Sequence, residues 1–523
     1  MIKDLTTIES KINKSSKQFS ENYSKMQVIL SEYNEEIKKS IYQGEERILN
    51  KIKDNNRLTA RERIELVLDQ DSPFLELLPL AGWGSDCYRI GSSVIGGIGL
   101  VQNKLTMLIA HIGTVKGGAI DSITLKKLYR LNQIASENNL ITINLIESSG
   151  ANLTKQSEIF NYAGQIFKQI SERSKNGIPT ISLVFGNSAA GGAYISAVSD
   201  YIIMVKDSSK LFLAGPALVK MATGEIIDEE SLGGANLHNR VSGVSDYLAE
   251  SESDAIRIAR EIIYYLKDSN NKNPENVDEP IYDKEEILGI INSDFKISFD
   301  SREIIARITD GSRFSEFKKE WGITLVTGFA MIHGYKVGII ANNGVLFSDS
   351  ANKAAHFIQL CNQNDTPIIF LQNITGFIVG KKYEEEGIIK YGSKMLNAVA
   401  NSQVPLITII IGASFGAGNF AMSGKSLNPR FIFSYPQSKM ALMGPEQLTG
   451  VLELISSDKT NPNIKEKILE DINKESSPYF ATGQLWDDGV IDPRETRNYL
   501  GLCLAVVNNN FENVKNSYGV FRM

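Results

Sequence analysis

Two short stretches rich in Gly and Ala have the residue types needed to hold a negatively charged oxygen with backbone N–H groups. The first runs from Val184 to Tyr194 and the second from Ile410 to Phe420. In each, an apolar run typical of a buried strand leads into small residues at the predicted start of a helix. The first N–H groups of a helix have no intrahelical partner, so they can stabilise an oxyanion that small residues allow to approach. Two such stretches predict a reaction in which two oxyanions are stabilised.

An internal repeat relates the two stretches. Gly150 and Ser188 correspond to Gly376 and Ser414, each at an offset of 226 residues. Small residues at a helix start can also serve only to pack the helix closely on a sheet, and for a single stretch that would be the simpler interpretation. These small residues recur in both copies, each time near a second strand end that contains Gly. We therefore favour the interpretation that the helix-start N–H groups bind an oxyanion.

The repeat also predicts the fold class and the domain organisation. Buried strands alternate with helices in both copies, which indicates parallel βαβ units and an α/β fold. We expect a helical arm over residues 1–56, a first domain over residues 57–275 and a second over residues 276–523. The polar stretch from Lys267 to Glu279 reads as the linker between the two domains.

Composition narrows the class of protein. The net charge of −6 gives no reason to expect nucleic acid as a partner. Cys87, Cys361 and Cys503 are scattered, which argues against a zinc ribbon or a disulfide framework, and no metal-ligand cluster is visible. No apolar run approaches the length of a membrane helix, and the N-terminal residues lack the features of a signal or transit peptide. We therefore expect a cytoplasmic protein with no membrane partner and no metal.

Two other motifs leave alternatives open. Gly412–Gly416 matches a nucleophile elbow, but all four histidines precede Ser414, which excludes the usual order of such a hydrolase. Ser188 does precede histidines, so chain order alone leaves a serine peptidase on a related fold open. Lys116-Gly117-Gly118 is either a plain turn or a place where the backbone approaches a phosphate-bearing ligand.

Longer motifs carry a family resemblance that extends from about residue 57 to the C-terminus. Together they resemble the carboxyltransferase (β) subunit of biotin-dependent acyl-CoA carboxylases, and they are most similar to the 3-methylcrotonyl-CoA and geranyl-CoA carboxylase branch. The matching motifs are Ala60–Ile64, Val115–Gly118, Ala190–Tyr194, Leu218–Glu225, Asp310–Phe314, Thr324–Ala330, Gly338–Gly344, Leu371–Gly380, Phe415–Asn419 and Trp486–Gly489.

The resemblance implies a tandem crotonase-like (ClpP/crotonase) fold whose first domain binds acyl-CoA and whose second binds carboxybiotin. It implies that the N–H groups of Gly191 and Gly192 hold the thioester enolate, and those of Ala417 and Gly418 the ureido oxygen of biotin. The residues implied to bind acyl-CoA are Lys116, Gly117, Gly118, Ser149, Gly150, Ala151, Ala193 and Tyr194. Those implied to bind biotin are Thr375, Gly376, Phe377, Phe415, Gly416 and Asn419.

The implied reaction moves CO2 from carboxybiotin on a separate carrier subunit to an acyl-CoA, with 3-methylcrotonyl-CoA as the first expectation. Geranyl-CoA, propionyl-CoA or acetyl-CoA, a decarboxylase subunit of the same superfamily, and a non-catalytic scaffold for a biotin subunit remain alternatives. The resemblance also implies a biotin carboxylase and biotin carrier α subunit as partner, and a homohexamer of β subunits within an α6β6 assembly.

Three departures from the family pattern concern the acyl pocket. Ser149 stands where the family usually has Gly, residues 158–167 form a shortened segment, and Pro445 replaces a Gly. Because each bears on pocket shape, we expect the identity of the acyl group to be less firmly fixed by the sequence than the type of reaction.

Overall fold

The computed structural model of the chain describes residues 6–152, 156–266, 274, 277–295, 297–444, 448, 450 and 462–509. The chain divides into two units. The first unit contains residues 37–271 and 508–523, and the second contains residues 1–36 and 272–507. The domain boundaries expected after residues 56 and 275 stay predictions. Residues 275 and 276 and most of the expected linker lie outside the described ranges.

The first unit is organised around one sheet of β-branched and other apolar strands. Its strands are β1 Phe74–Leu77, β2 Val94–Val101, β3 Lys104–His111, β4 Ile141–Ser148, β5 Thr180–Ala189, β6 Tyr201–Val205, β7 Lys210–Phe212 and β8 Tyr247–Ala249. The strand order is β1-β2-β3-β4-β5-β6-β8, with β7 paired to the end of β5. Pairing is antiparallel from β1 to β3 and parallel from β3 onward. Parallel strands need crossover helices, as the sequence predicts.

The helices up to residue 265 precede, connect or follow these strands in the chain. They are α1 Lys17–Ile41, which starts in the second unit, α2 Glu46–Asp54, α3 Ala60–Val67, α4 Ser122–Glu137, α5 Gln156–Lys175, α6 Gly191–Ala197, α7 Pro216–Thr223, α8 Glu229–Gly233, α9 Ala235–Arg240 and α10 Glu252–Tyr265. Thr59 caps α3 and forms a capping box with Glu62. A short 3-10 helix covers Lys116–Gly118.

The second unit repeats the same plan. Its strands are β9 Ser315–Glu316, β10 Leu325–Ile332, β11 Tyr335–Asn342, β12 Ile368–Ile374, β13 Leu406–Phe415, β14 Phe431–Ser434 and β15 Lys439–Ala441. The order is β14-β13-β12-β11-β10-β9, with β15 paired to the end of β13. Its further helices are α11 Ile287–Ile290, α12 Ser301–Ile308, α13 Ser348–Gln363, α14 Lys381–Glu385, α15 Ile388–Ala400, α16 Gly416–Ala421, α17 Pro462–Glu475, α18 Pro478–Gly483 and α19 Thr496–Val507.

A shift in strand register recurs at the same place in both sheets. In the first, the pairing of β4 with β5 shifts between Ile146 and Ser148, and Ser148 then lies opposite Ser188. In the second, the pairing of β12 with β13 shifts between Gln372 and Ile374, and Ile374 lies opposite Ser414. Such irregularities bend a strand and redirect the residues that follow it. In both copies they lie immediately before the strand-to-helix turn.

The N-terminal segment of the second unit packs on residues far along the chain. The Asn22 side chain donates to the carbonyl oxygen of Gly289 in α11 (3.1 Å). A Cβ atom built at Gly289 would lie 2.3 Å from the Phe19 ring, so α1 approaches α11 closely only because residue 289 is Gly. Met26 and Leu30 are buried on the same helix. The structure therefore has a long helix within the expected helical arm, and part of its apolar face is buried.

The core of the first unit contains a titratable ring at the end of β3. His111 is 1% exposed and sits at the carboxyl end of a strand whose other residues are mostly apolar. Burial disfavours the charged imidazolium and lowers the pKa of His111 from 6.5 to about 4. The ring is therefore neutral at physiological pH.

We expect acid to destabilise the first unit through His111. Between pH 6.5 and about 4 the unfolded chain binds a proton that the folded chain does not, so stability falls as pH falls across this window. The full shift is worth on the order of 3 kcal/mol. His111→Leu should flatten this part of the pH profile of the free energy of unfolding, whereas His356→Leu, at an exposed ring, should keep it. Identical profiles for the two variants would contradict the assignment.

Candidate functional site

The turn from β5 into α6 leaves two backbone amides without a partner. Ala190 has φ +50° and ψ −117°, a conformation that L residues rarely adopt, and its N–H donates to the carbonyl oxygen of Phe212 (3.1 Å). The carbonyl oxygen of Ala190 accepts from the N–H groups of Ala193 and Tyr194. Within the described part of the chain, the N–H groups of Gly191 and Gly192 donate to no acceptor. Because the backbone reverses at Ala190, these two N–H donors at the helix start can bond to a ligand.

The end of β4 lies beside this turn. Gly150 has φ +89°, and a Cβ atom built there would lie 3.0 Å from the carbonyl oxygen of Ala189. The Ser148 side chain accepts from the N–H of Gly150 (3.2 Å) and donates to the carbonyl oxygen of Gly118 (2.7 Å). This close approach of two strand ends requires Gly at position 150.

The 3-10 turn at residues 116–118 is bonded directly to the end of β4. The N–H of Ser149 donates to the carbonyl oxygen of Gly117 (2.8 Å). Gly118 has φ +68°, and a Cβ atom there would lie 2.1 Å from the carbonyl oxygen of Glu147. The glycines are therefore explained by backbone packing. Lys116 remains exposed on the outer side, so the phosphate alternative stays open.

The residues predicted to bind acyl-CoA, and the two predicted to hold the enolate (Gly191 and Gly192), differ in accessibility. Lys116, Gly117, Ser149 and Tyr194 are exposed, Ala151 and Gly191 are half-buried, and Gly118, Gly150, Gly192 and Ala193 are buried. The Tyr194 ring is 48% exposed and packs against Phe167, with centroids 5.9 Å apart. The structure brings the end of β4 close both to the 116–118 turn and to the start of α6.

A charged cluster under the end of β4 was not predicted from the sequence. The Arg63 guanidinium contacts Glu147 (2.7 Å) and Glu252 (2.8 Å), and Arg57 also contacts Glu147 (2.9 Å). Burial raises the pKa of Glu147, but the two guanidinium groups outweigh burial and hold that pKa below its usual range. Glu147 therefore points into an ion-pair cluster and anchors β4. The Ala60–Ile64 motif gave the only sequence signal, and it did not identify the partners.

The turn from β13 into α16 has the same backbone reversal. Gly416 has φ +54°, at the repeat position of Ala190. Among the described residues, no acceptor bonds to the N–H groups of Ala417 and Gly418. Ala417 is exposed and Gly418 is buried. A Cβ atom at Gly418 would lie 2.6 Å from Cγ1 of Ile374, so the helix start can approach β12 only with Gly at this position.

The other residues predicted to bind biotin surround this turn in different ways. Thr375 is exposed, while the carbonyl oxygen of Gly376 accepts from the N–H of Leu346 (3.2 Å). The Phe377 ring packs over Gly392, and Phe415 is 7% exposed. The aromatic side chains of this set therefore contribute mainly to packing.

Polar side chains lie beneath α16, and of these only Asn419 was among the residues predicted to bind biotin. Ser414 Oγ donates to Oε1 of Gln372 (2.6 Å) and accepts from Nδ2 of Asn419 (2.7 Å). Nε2 of Gln372 donates to the carbonyl oxygens of Met422 (2.6 Å) and Asn419 (3.3 Å). The repeat indicated only the serine, because Ser414 has an equivalent in Ser188. Its partners Gln372 and Asn419 have no polar equivalents in the first copy.

Two further observations concern the described residues only. No group of three or more His, Cys, Asp or Glu side chains among them is arranged to hold a metal ion. None of their helices combines the length and the apolar character needed to cross a bilayer. Pro445, one of the three departures from the family pattern, lies outside the described residues.

Comparison with known proteins gives consistent matches along most of the chain. A family model described as the carboxyl transferase domain matches residues 51–519. The chain is 48% identical over 529 residues to the probable biotin-dependent acyl-coenzyme A carboxylase beta2 subunit of Mycobacterium tuberculosis, covering 99% of this chain and 100% of that one. It is 45% identical over 535 residues to the mitochondrial methylcrotonoyl-CoA carboxylase beta chain of Dictyostelium discoideum, covering 99% and 91%.

A solved structure extends this similarity to three dimensions. The crystal structure of the P. aeruginosa geranyl-CoA carboxylase beta subunit matches with a TM-score of 0.92 and 41% sequence identity. The match covers 99% of this chain and 100% of that one. The sequence match and the structural match therefore both extend over nearly the whole chain.

Substitution of Gly118 tests the packing of the 116–118 turn on β4. We expect Gly118→Ala to destabilise the first unit by more than about 2 kcal/mol, because positive φ alone costs an L residue roughly 1–2 kcal/mol and the new Cβ meets a carbonyl oxygen. Gly164→Ala, in open space on α5, should stabilise slightly. Thermal unfolding and hydrogen exchange at the Ser149 amide report the difference. An unchanged Ser149 amide in Gly118→Ala would contradict this packing.

Proposed function

The chain belongs to the carboxyl transferase family of biotin-dependent acyl-CoA carboxylase β subunits, and on this premise we propose that it moves CO2 from carboxybiotin on a separate carrier subunit to an acyl-CoA. Its fold is the tandem crotonase-like α/β fold of that family. The proposed first substrate is 3-methylcrotonyl-CoA, carboxylated at the γ carbon.

The observation that carries the proposal is the pair of unbonded amides at each strand-to-helix turn. Gly191 and Gly192 offer two N–H donors beside the exposed residues of the 116–118 turn. We assign them to the thioester enolate oxygen, on which charge develops in the transition state. Donors fixed before reaction stabilise such charge without reorganisation, and loss of one typically costs about 2.7–4 kcal/mol, or roughly 10²–10³-fold in rate.

The second turn fits the ureido oxygen of biotin. Ala417 and Gly418 present unbonded donors, and the side chains at the helix start are small enough for a ring to approach. When bound, carboxybiotin supplies both the CO2 and the base for the substrate proton. The chain's own part is then to orient the two partners and to stabilise the two oxyanions.

We propose that the coenzyme A substrate contacts the accessible residues of the first unit. Lys116, Ser149 and Tyr194 expose their side chains. A lysine ammonium can pair with a phosphate group, whereas the Tyr194 and Phe167 rings offer an apolar surface near the acyl end. Ser149 adds a hydroxyl to this surface, and the shortened segment at 158–167 lies on α5, which carries Phe167.

Geranyl-CoA is the second candidate substrate, because the structural match with a TM-score of 0.92 is to a geranyl-CoA carboxylase beta subunit. Recovery of the complex on streptavidin, through its biotin-carrying partner, allows carboxylation of a panel of acyl-CoAs to be compared. The panel should include 3-methylcrotonyl-CoA, geranyl-CoA, propionyl-CoA and acetyl-CoA. A membrane-bound partner and release of CO2 would favour a decarboxylase subunit instead, and failure with every substrate would favour a scaffold.

The proposed assembly follows the same premise. We propose an α subunit with biotin carboxylase and biotin carrier functions as partner, and self-association of this chain as a hexamer within an α6β6 complex. Mass measurement of the recovered complex tests both. The cytoplasmic location expected from the sequence stays a prediction.

Proline substitutions test the two sets of donors. We expect Gly192→Pro or Ala417→Pro to reduce carboxylation at least about 10²-fold, because each removes one N–H donor. Glu229→Pro, at the exposed first residue of α8, removes an N–H where proline is well tolerated and should retain activity. Steady-state rates and the mass of the oligomer are measured for each. Near-normal rates in both Gly192→Pro and Ala417→Pro would refute the assignment of these amides to the two oxyanions.

A further inference from the structure

We propose that Gln372, Ser414 and Asn419 are positioning residues that hold α16 for the biotin half of the reaction. This inference rests on the proposed function, because it concerns how the Ala417 and Gly418 amides are kept in place. The three side chains form one hydrogen-bonded chain from β12 through β13 to α16. We name it the amide network.

The polar side-chain atoms of Gln372 and Ser414, and Nδ2 of Asn419, bond to another member of the amide network or to backbone carbonyl oxygens of α16 and its C-terminal end. Gln372 and Ser414 are fully buried, and Asn419 is half-buried. Oε1 of Gln372 accepts from Ser414, while its Nε2 donates to carbonyl oxygens at the C-terminal end of α16. One side chain on β12 thus binds both the strand below the helix and the far end of the helix.

A helix as short as α16 needs such support. It has six residues, and isolated helices of this length are not stable in water. Its orientation is therefore set by tertiary contacts, and the amide network supplies directional ones. Because the Ala417 and Gly418 amides are part of the same rigid turn, a rotation of α16 would move both donors together.

The side chain of Asn419 is committed to this support. Its Nδ2 lies 2.7 Å from Ser414 Oγ, and the carbonyl oxygen of Asn419 accepts from the N–H of Gly424 (2.9 Å). A Cβ atom built at Gly424 would lie 1.9 Å from Oδ1 of Asn419, so the loop after α16 closes against this side chain. One N–H of the Asn419 side chain is therefore engaged in holding the helix, and this is the role that we assign to the residue.

The first unit provides a natural comparison because it keeps the serine but not the network. The repeat equivalents of Gln372 and Asn419 are Ile146 and Ala193, both apolar. Ser188 is 0% exposed, and its Oγ has no hydrogen-bond partner among the described residues. The same serine at the same repeat position is thus bonded under α16 and unbonded under α6.

This difference defines a matched pair of variants. Ser414→Ala removes the hydroxyl that joins Gln372 to Asn419, and it leaves the buried Oε1 of Gln372 and the half-buried Nδ2 of Asn419 without that partner. Ser188→Ala removes a buried hydroxyl that bonds to nothing. Both variants lose one oxygen atom at the same position of the repeat. They differ mainly in that only Ser414→Ala breaks hydrogen bonds of the amide network.

The test uses the full chain in its complex and measures transfer from a carboxylated acyl-CoA to free d-biotin, with kcat and both KM values determined separately. We expect Ser414→Ala to lower kcat/KM for d-biotin about 10- to 100-fold, since a small misplacement of reacting groups has effects of this size. The KM for the CoA thioester should stay unchanged. Ser188→Ala should remain within about twofold of wild type for both substrates.

A second variant keeps the inference testable if Ser414→Ala folds poorly. Gln372→Met retains the length of the side chain but removes its amide, and it should reproduce the selective effect on d-biotin. Equal effects on both substrates, or no difference between Ser414→Ala and Ser188→Ala, would overturn the positioning role. If the wild-type complex transfers no carboxyl group to d-biotin, the proposed function fails instead, so the two failures are distinguishable.

Discussion

The structure depends on a reversal of the backbone immediately before two short helices. Ala190 and Gly416 both have φ near +50°, and this conformation separates the amides that follow from any internal acceptor. For Ala190 the reversal costs of the order of 1–3 kcal/mol, which surrounding contacts must offset. The bond from its N–H to Phe212 is one such contact. The proposed function therefore depends on backbone geometry that the rest of each unit keeps in place.

The two units support the same turn by different means. In the first, a cluster of Arg63, Glu147 and Glu252 anchors the end of β4. In the second, the equivalent of Glu147 is Asn373, whose Oδ1 accepts from the N–H of Ala413 (3.1 Å). Charge pairing has thus been exchanged for amide hydrogen bonding at one repeat position. Such divergence is consistent with two sites that hold different oxyanions on a common backbone.

Sequence reasoning predicted the backbone of the site better than its side chains. The repeat and the apolar strands determine the sheets, and the small residues determine the turns, because these depend on local conformation and a constant offset. The partners of Glu147 and Ser414 could not be predicted, since they depend on which side chains from distant segments meet. Gly117 and Gly118 allowed two interpretations, and only the distance from Gly118 to the Glu147 carbonyl showed why glycine is needed there.

The packing of α1 on α11 has a consequence for synthesis of the chain. Asn22 leaves the ribosome 267 residues before its partner Gly289. At roughly 5–20 residues per second, the N-terminal part of α1 waits on the order of 10–50 s for the surface that covers it. During this interval the first unit is translated, while Asn22 still lacks its partner in α11. The first helix translated therefore makes this contact only after the first unit has been synthesised.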